Sequence, residues 1–160
     1  MNVKTILVPL DGSRLGELAI TPAVDLARDK GARLILLRAA EAHTLVADPT
    51  EAQVAAVREA EDYLAAVRTR VATADIPEVE TSVWYGPPAE AIVEAARYRG
   101  ADLIVMSSHG RSGLGRLVLG SVAEMVLRAT PTPILLIRAG GAPLAAPYRG
   151  RPAAKELSHV

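Results

Sequence analysis

The segment SSHGRSGLGRLVLGS (107–121) follows the apolar run LIVM and combines glycines, serine hydroxyls and two arginines, with no lysine. Glycines let a backbone approach the oxygen atoms of a bound group closely. A helix starting at Gly120-Ser121 presents unpaired backbone N–H groups and the positive end of its dipole. That is the chemistry of an anion site, most naturally for a phosphate. Ser121 can add a hydroxyl donor, and Arg111 and Arg116 can add charge. The same residues also read as a plain flexible connection between a strand and a helix, and the segment alone leaves both readings open.

Known glycine motifs do not fit it. A Walker A loop needs a lysine followed by Ser or Thr after its last glycine, and no such pair follows a glycine here. Gly113 and Gly115 begin a dinucleotide fingerprint, but Val118 stands at its third glycine. Gly110-Arg111-Ser112-Gly113-Leu114 lacks the final glycine of a nucleophile elbow. His109 has no second His or Cys beside it and makes a poor metal site. Asp11, in the turn DGS, either caps the following helix through an Asx turn or offers a carboxylate to a ribose hydroxyl or an adenine amine. The two roles are compatible. Glu17, Glu41 and Glu90 read as solvated helix or loop charges.

The elements that must position these residues alternate along the chain. VKTILVPL (3–10), ARLILLRA (32–39), EVETSVWY (78–85), ADLIVMS (101–107) and TPILLIR (132–138) read as strands. Residues 13–31, 50–74, 86–100 and 117–130 carry apolar positions at helical spacing. Pro22 implies a kink or a restart in the first helix, and Gly31 a C-cap. Prolines 87 and 88 and Gly100 punctuate the third helix. Alternating strands and helices imply an α/β fold: a single open, doubly wound five-stranded parallel sheet with helices on both faces, Rossmann-like. In such sheets ligands bind beyond the carboxyl ends of the strands, where the strand order reverses. Residues 1–139 form one domain in this reading, and 140–160, rich in Gly, Pro and Ala, a flexible C-terminal tail.

Composition narrows the function classes. The 160 residues contain no cysteine and no phenylalanine, and only 3% aromatics, so the core is aliphatic and neither a disulfide framework nor a thiolate metal site is available. A formal net charge of zero gives no electrostatic capture of nucleic acid or an anionic membrane. No run is long and apolar enough to span a membrane, and the N-terminus does not read as a signal peptide. A cytoplasmic protein is expected.

Over residues 2–138 the chain resembles the universal stress protein family, UspA-like. The resemblance rests on ILVPLDGS, DLIVMSSHGRSG and LGSVAEMVLRATPTPILLIR. The family's ATP-binding branch carries G-x-x-G, nine residues, then G-[ST]. Here Gly110 precedes the nine residues RSGLGRLVL and Gly120-Ser121, while Ser107 stands at the first glycine. The resemblance implies that Val8, Pro9 and Asp11 contact adenine and ribose, that Ala39 lines the adenosine pocket and that Met106 flanks the nucleotide. It gives the phosphates to Ser107, Gly110, Gly120 and Ser121. Arg111, Ser112 and Gly113 are placed over the triphosphate by position alone. The family also implies a homodimer through the last strand, Thr132–Arg138.

The leading expectation is an ATP-binding, homodimeric regulator of stress adaptation, with Mg²⁺ optional and an unidentified protein partner. A slow ATPase or phosphotransferase using Asp11 and His109, and a non-nucleotide scaffold of the same fold, are the alternatives. The sequence offers no evident general base, no loop lysine and no carboxylate pair for two metals, so any ATP hydrolysis is expected to be slow.

Overall fold

A computed structural model describes residues 2–41, 49–72, 75–108 and 119–138. Five strands, β1 (Thr5–Pro9), β2 (Arg33–Ala40), β3 (Val79–Tyr85), β4 (Leu103–Ser107) and β5 (Ile134–Ile137), alternate with four helices. The helices are α1 (Ile20–Lys30), α2 (Pro49–Val71), α3 (Pro88–Tyr98) and α4 (Ser121–Ala129). Every strand pairing is parallel, in the order β3-β2-β1-β4-β5. The order reverses between β1 and β4, where Ile6 faces Leu103 and Leu7 faces Ile104.

Period-two alternation in the central strands divides the core into two layers. Ile6, Val8, Leu34, Leu36 and Val105 pack with Ala23 and Ala27 of α1 and Leu64 and Val67 of α2. Leu7, Ile35, Leu37, Ile104 and Met106 pack on the other face with Ile92 and Ala95 of α3 and Ala123 and Val126 of α4. Strands buried on both faces read as continuous apolar runs for this reason. Small alanines let the helices approach the sheet closely, which suits a core almost without aromatics.

The expected first helix, 13–31, is two pieces. A single 3-10 turn, Gly16–Ala19, leads into α1 at Ile20. Pro22 lies in the first turn of α1, where a helix has no use for its missing N–H, so the proline marks a restart and not a kink. Gly31 ends α1 in the left-handed conformation, φ 62°. Pro88 occupies the first turn of α3, and its cap residue Pro87 is extended. The last helix begins at Ser121, not 117, because Gly120 is extended at φ −59°, ψ 144°. The expected tail, 140–160, lies outside the described residues.

Candidate functional site

A cleft of about 320 Å³ opens at the carboxyl ends of β1, β2 and β4, spanning the point where the strand order reverses. This is at the lower end of the range for small-molecule sites, ~300–1,000 Å³. Pro9, Asp11, Ala39, Met106, Ser107, Gly120 and Ser121, all expected at the site, line it. Val8 does not: its side chain is wholly buried in the α1/α2 layer of the core. Gly110, Arg111, Ser112 and Gly113, like His109 and Arg116, lie outside the described residues.

The α4 end of the cleft is polar. The Gly120 N–H donates to the Ser108 carbonyl at 2.8 Å and brings the two ends of the 107–121 segment together. The first helical bond of α4 runs from the Glu124 N–H to the Gly120 carbonyl at 2.9 Å. The N–H groups of Ser121, Val122 and Ala123 therefore precede the helical ladder, and all three residues line the cleft. Gly120 makes no side-chain cap. These donors and the dipole of α4 favour an anion at this end.

Leu37, Ala39, Pro88, Ile92 and Met106 give the cleft an apolar wall. Ile92 and Met106 expose only 4% and 5% of their surface, so the slot is apolar and firmly backed. A flat, weakly polar ring fits such a slot.

The DGS turn forms one rim. Asp11 Oδ1 accepts from the Ser13 N–H at 2.9 Å and from Ser13 Oγ–H at 2.6 Å. Ser13 Oγ in turn accepts from the Gly16 N–H at 2.9 Å. The Asx turn read from the sequence is thus present, although no side chain caps the 3-10 turn or α1, and Asp11 also lines the cleft. Gly12 adopts φ 80°, and a Cβ on Gly16 would collide with the Asp11 carboxylate.

The sequence reading missed Arg38. It lines the cleft with its side chain only 10% exposed, bonded through Nη2 to Glu59 Oε1 at 3.0 Å and stacked 4.8 Å above the Tyr63 ring. Its signal was available: beyond Arg33, which opens the strand, it is the one charge in the apolar run LILLRAA. Glu17, read as a solvated charge, instead accepts from Tyr63 Oη–H at 2.9 Å and from both terminal nitrogens of Arg70. The Arg70 guanidinium, opposed by partial burial, holds its carboxyl below the ordinary value. Among the described residues no group of three or more His, Asp or Glu is placed to hold a metal ion. No helix among them is long and apolar enough to cross a membrane.

A sequence profile of the universal stress protein family matches residues 2–138. A universal stress protein of Thermus aquaticus is 36% identical over 138 residues, covering 84% of this chain and 98% of its own. The structure of universal stress protein UspA from Lactobacillus plantarum superposes with a TM-score of 0.76 at 28% identity, covering 86% of this chain and 99% of that one. A crystal structure of a universal stress protein in complex with cAMP superposes with a TM-score of 0.60 at 29% identity, covering 86% of this chain and 98% of that one. The five-stranded parallel architecture, the reversal-point cleft and the sequence match agree: the chain belongs to the universal stress protein family.

Proposed function

We propose that the cleft binds an adenine nucleotide, ATP in the first place, and that the protein acts as a nucleotide-responsive regulator in stress adaptation. The observation that carries the reading is the convergence of the β4 end and the unbonded first turn of α4 within one cleft at the reversal of strand order. In this reading the phosphates lie against the N–H groups of Ser121, Val122 and Ala123, with the Ser121 hydroxyl adding a donor. The adenine enters the slot between Ala39, Ile92 and Met106. Asp11 accepts a hydrogen bond from a ribose hydroxyl. The cAMP complex of a relative at 29% identity supports the adenine nucleotide class. The spacing of Gly110 and Gly120-Ser121 supports a triphosphate, with Mg²⁺ carried on the phosphates and not on a protein cluster.

Regulation, not turnover, is the proposed role. The 107–121 segment carries no lysine, so hydrolysis is proposed to be slow where it occurs. A homodimer forms through β5, an edge strand whose Leu135 is 37% exposed and which, among the described residues, pairs with β4 alone. A two-fold contact covers the edge of β5 on both copies at once. Residues 1–139 work as the nucleotide-binding domain in the cytoplasm, with 140–160 as a tail and a regulatory protein as the reader of the nucleotide state.

Calorimetric titration of nucleotide-stripped protein with ATP, then AMP and cAMP, with and without Mg²⁺, tests the reading. Preference for ATP supports a phosphate chain at α4. No heat and no thermal shift with any of the three overturns nucleotide binding.

A further inference from the structure

Arg38 is a costly residue where it stands. A guanidinium nine-tenths removed from water is expensive unless paired, and an apolar side chain of similar length often serves stability as well or better. Its pair is lopsided: the Glu59 side chain is 72% exposed and well solvated. Stability alone is a weak reason to keep a cation there.

Its contacts suggest another. The Arg38 guanidinium packs directly against the backbone of the DGS turn: a Cβ on Gly12 would lie 2.5 Å from Nη1. On its other side it meets α2 through Glu59 and Tyr63. Tyr63 and Arg70 of α2 then grip Glu17, the second residue of the 3-10 turn. Helix α2 therefore holds the 11–17 segment at two points, through Arg38 at Gly12 and directly at Glu17. Between them lie the Asp11–Ser13–Gly16 hydrogen bonds that orient the Asp11 carboxylate.

We propose that Arg38 is a positioning residue for Asp11, fixing the carboxylate at the cleft rim towards the ribose 2′-hydroxyl, the one group that 2′-deoxy-ATP lacks, and thereby setting a preference for ribose over deoxyribose. The inference rests on the nucleotide reading and goes beyond it by naming a specificity determinant on β2. A planar fork wedged between a turn and a helix leaves the turn one arrangement, whereas a flexible, uncharged side chain leaves several. Misdirecting a charged acceptor forfeits about tenfold or more in affinity for the hydroxyl it meets.

The test compares ATP with 2′-deoxy-ATP by calorimetry on wild type, Arg38→Met, Arg38→Lys and Asp11→Asn, alongside amide hydrogen exchange. Wild type favours ATP. Arg38→Met brings the ratio of the two dissociation constants towards one, Arg38→Lys restores it in part, and Arg38→Met added to Asp11→Asn changes it no further. Exchange of the Ser13 and Gly16 amides accelerates in Arg38→Met while those of Leu34 and Leu36 hold, which a general loss of structure would not produce. If Arg38→Met does not fold, Arg38→Lys decides through the same ratio. An unchanged ratio in the Arg38 variants, or a wild type that binds both nucleotides equally, overturns the inference and leaves the nucleotide reading standing. A wild type that binds neither overturns both.

Discussion

The Gly120 N–H is bonded to the Ser108 carbonyl at 2.8 Å, so the strand that ends at the cleft and the helix that begins there are tied by backbone alone. The tie uses backbone atoms alone, and Ser108, Gly120 and Ser121 all line the cleft. Gly120 has φ −59° and ψ 144°, a conformation any residue adopts. Gly120→Val should therefore fold, while its branched side chain stands at the start of α4 where the phosphates are proposed to lie. Calorimetry should show ATP binding lost, with melting temperature within a few degrees of wild type. Retained affinity would mean that the phosphates sit elsewhere.

Gly16 makes the opposite case, in which space and not backbone strain requires glycine. An added Cβ would strike the Asp11 carboxylate, which two bonds from Ser13 hold in place and cannot yield cheaply. Gly16→Ala should cost about 1–3 kcal/mol, as overpacking does, and weaken nucleotide binding as well. Gly31→Ala is the control: nothing lies within 4 Å of its Cβ, but φ is 62°. It should cost ~1 kcal/mol through backbone strain and leave affinity untouched. Equal effects of the two on affinity would separate Asp11 from the site.

These residues show how far the sequence could be read. The strands, Gly31 and Pro88 were legible because period, left-handed cap and first-turn proline are local properties of the chain. Gly120 and Ser121, singled out by their spacing, line the cleft. Other walls of the cleft were not legible: Ala56 and Glu59 arrive from α2, and Ile92 from α3, through packing on strand ends that no local pattern encodes. Val8 is a nucleotide contact only by the family resemblance. Alternation puts it on the same face as Ile6, against α1 and α2, where its side chain is wholly enclosed. Arg38 looked like the end of a strand because its neighbours Glu59, Tyr63 and Gly12 are distant in sequence.

The proposed dimer has a sharp test in Leu135, which points outward from β5 at 37% exposure, while Leu136 packs against the α3/α4 layer. Leu136→Glu would harm the core and confuse the result. Leu135→Glu places an unpaired carboxylate only in the proposed interface, at a cost of about 3 kcal/mol, or roughly a hundredfold in dissociation constant. Sedimentation should show monomer at concentrations where wild type is a dimer, with ATP binding per chain intact. A variant that remains dimeric would remove β5 from the interface.

Glu17 ties stability to pH. Its carboxyl is held below the ordinary value of about 4.3, first by the Arg70 guanidinium and also by Tyr63 Oη–H, against burial, which raises it. The folded state thus binds its proton more weakly than the unfolded chain. The stabilisation is complete above the ordinary carboxylate value and disappears as pH falls through the lower, folded value. The Arg70 side chain is 56% exposed, so solvent screening limits the effect to at most ~1 kcal/mol. Glu17→Gln should be less stable than wild type at pH 7 and should lose less on acidification, so that the two urea-unfolding curves converge below about pH 4. Curves that stay a constant distance apart down to pH 3 would show that the Arg70 contact adds nothing to folding.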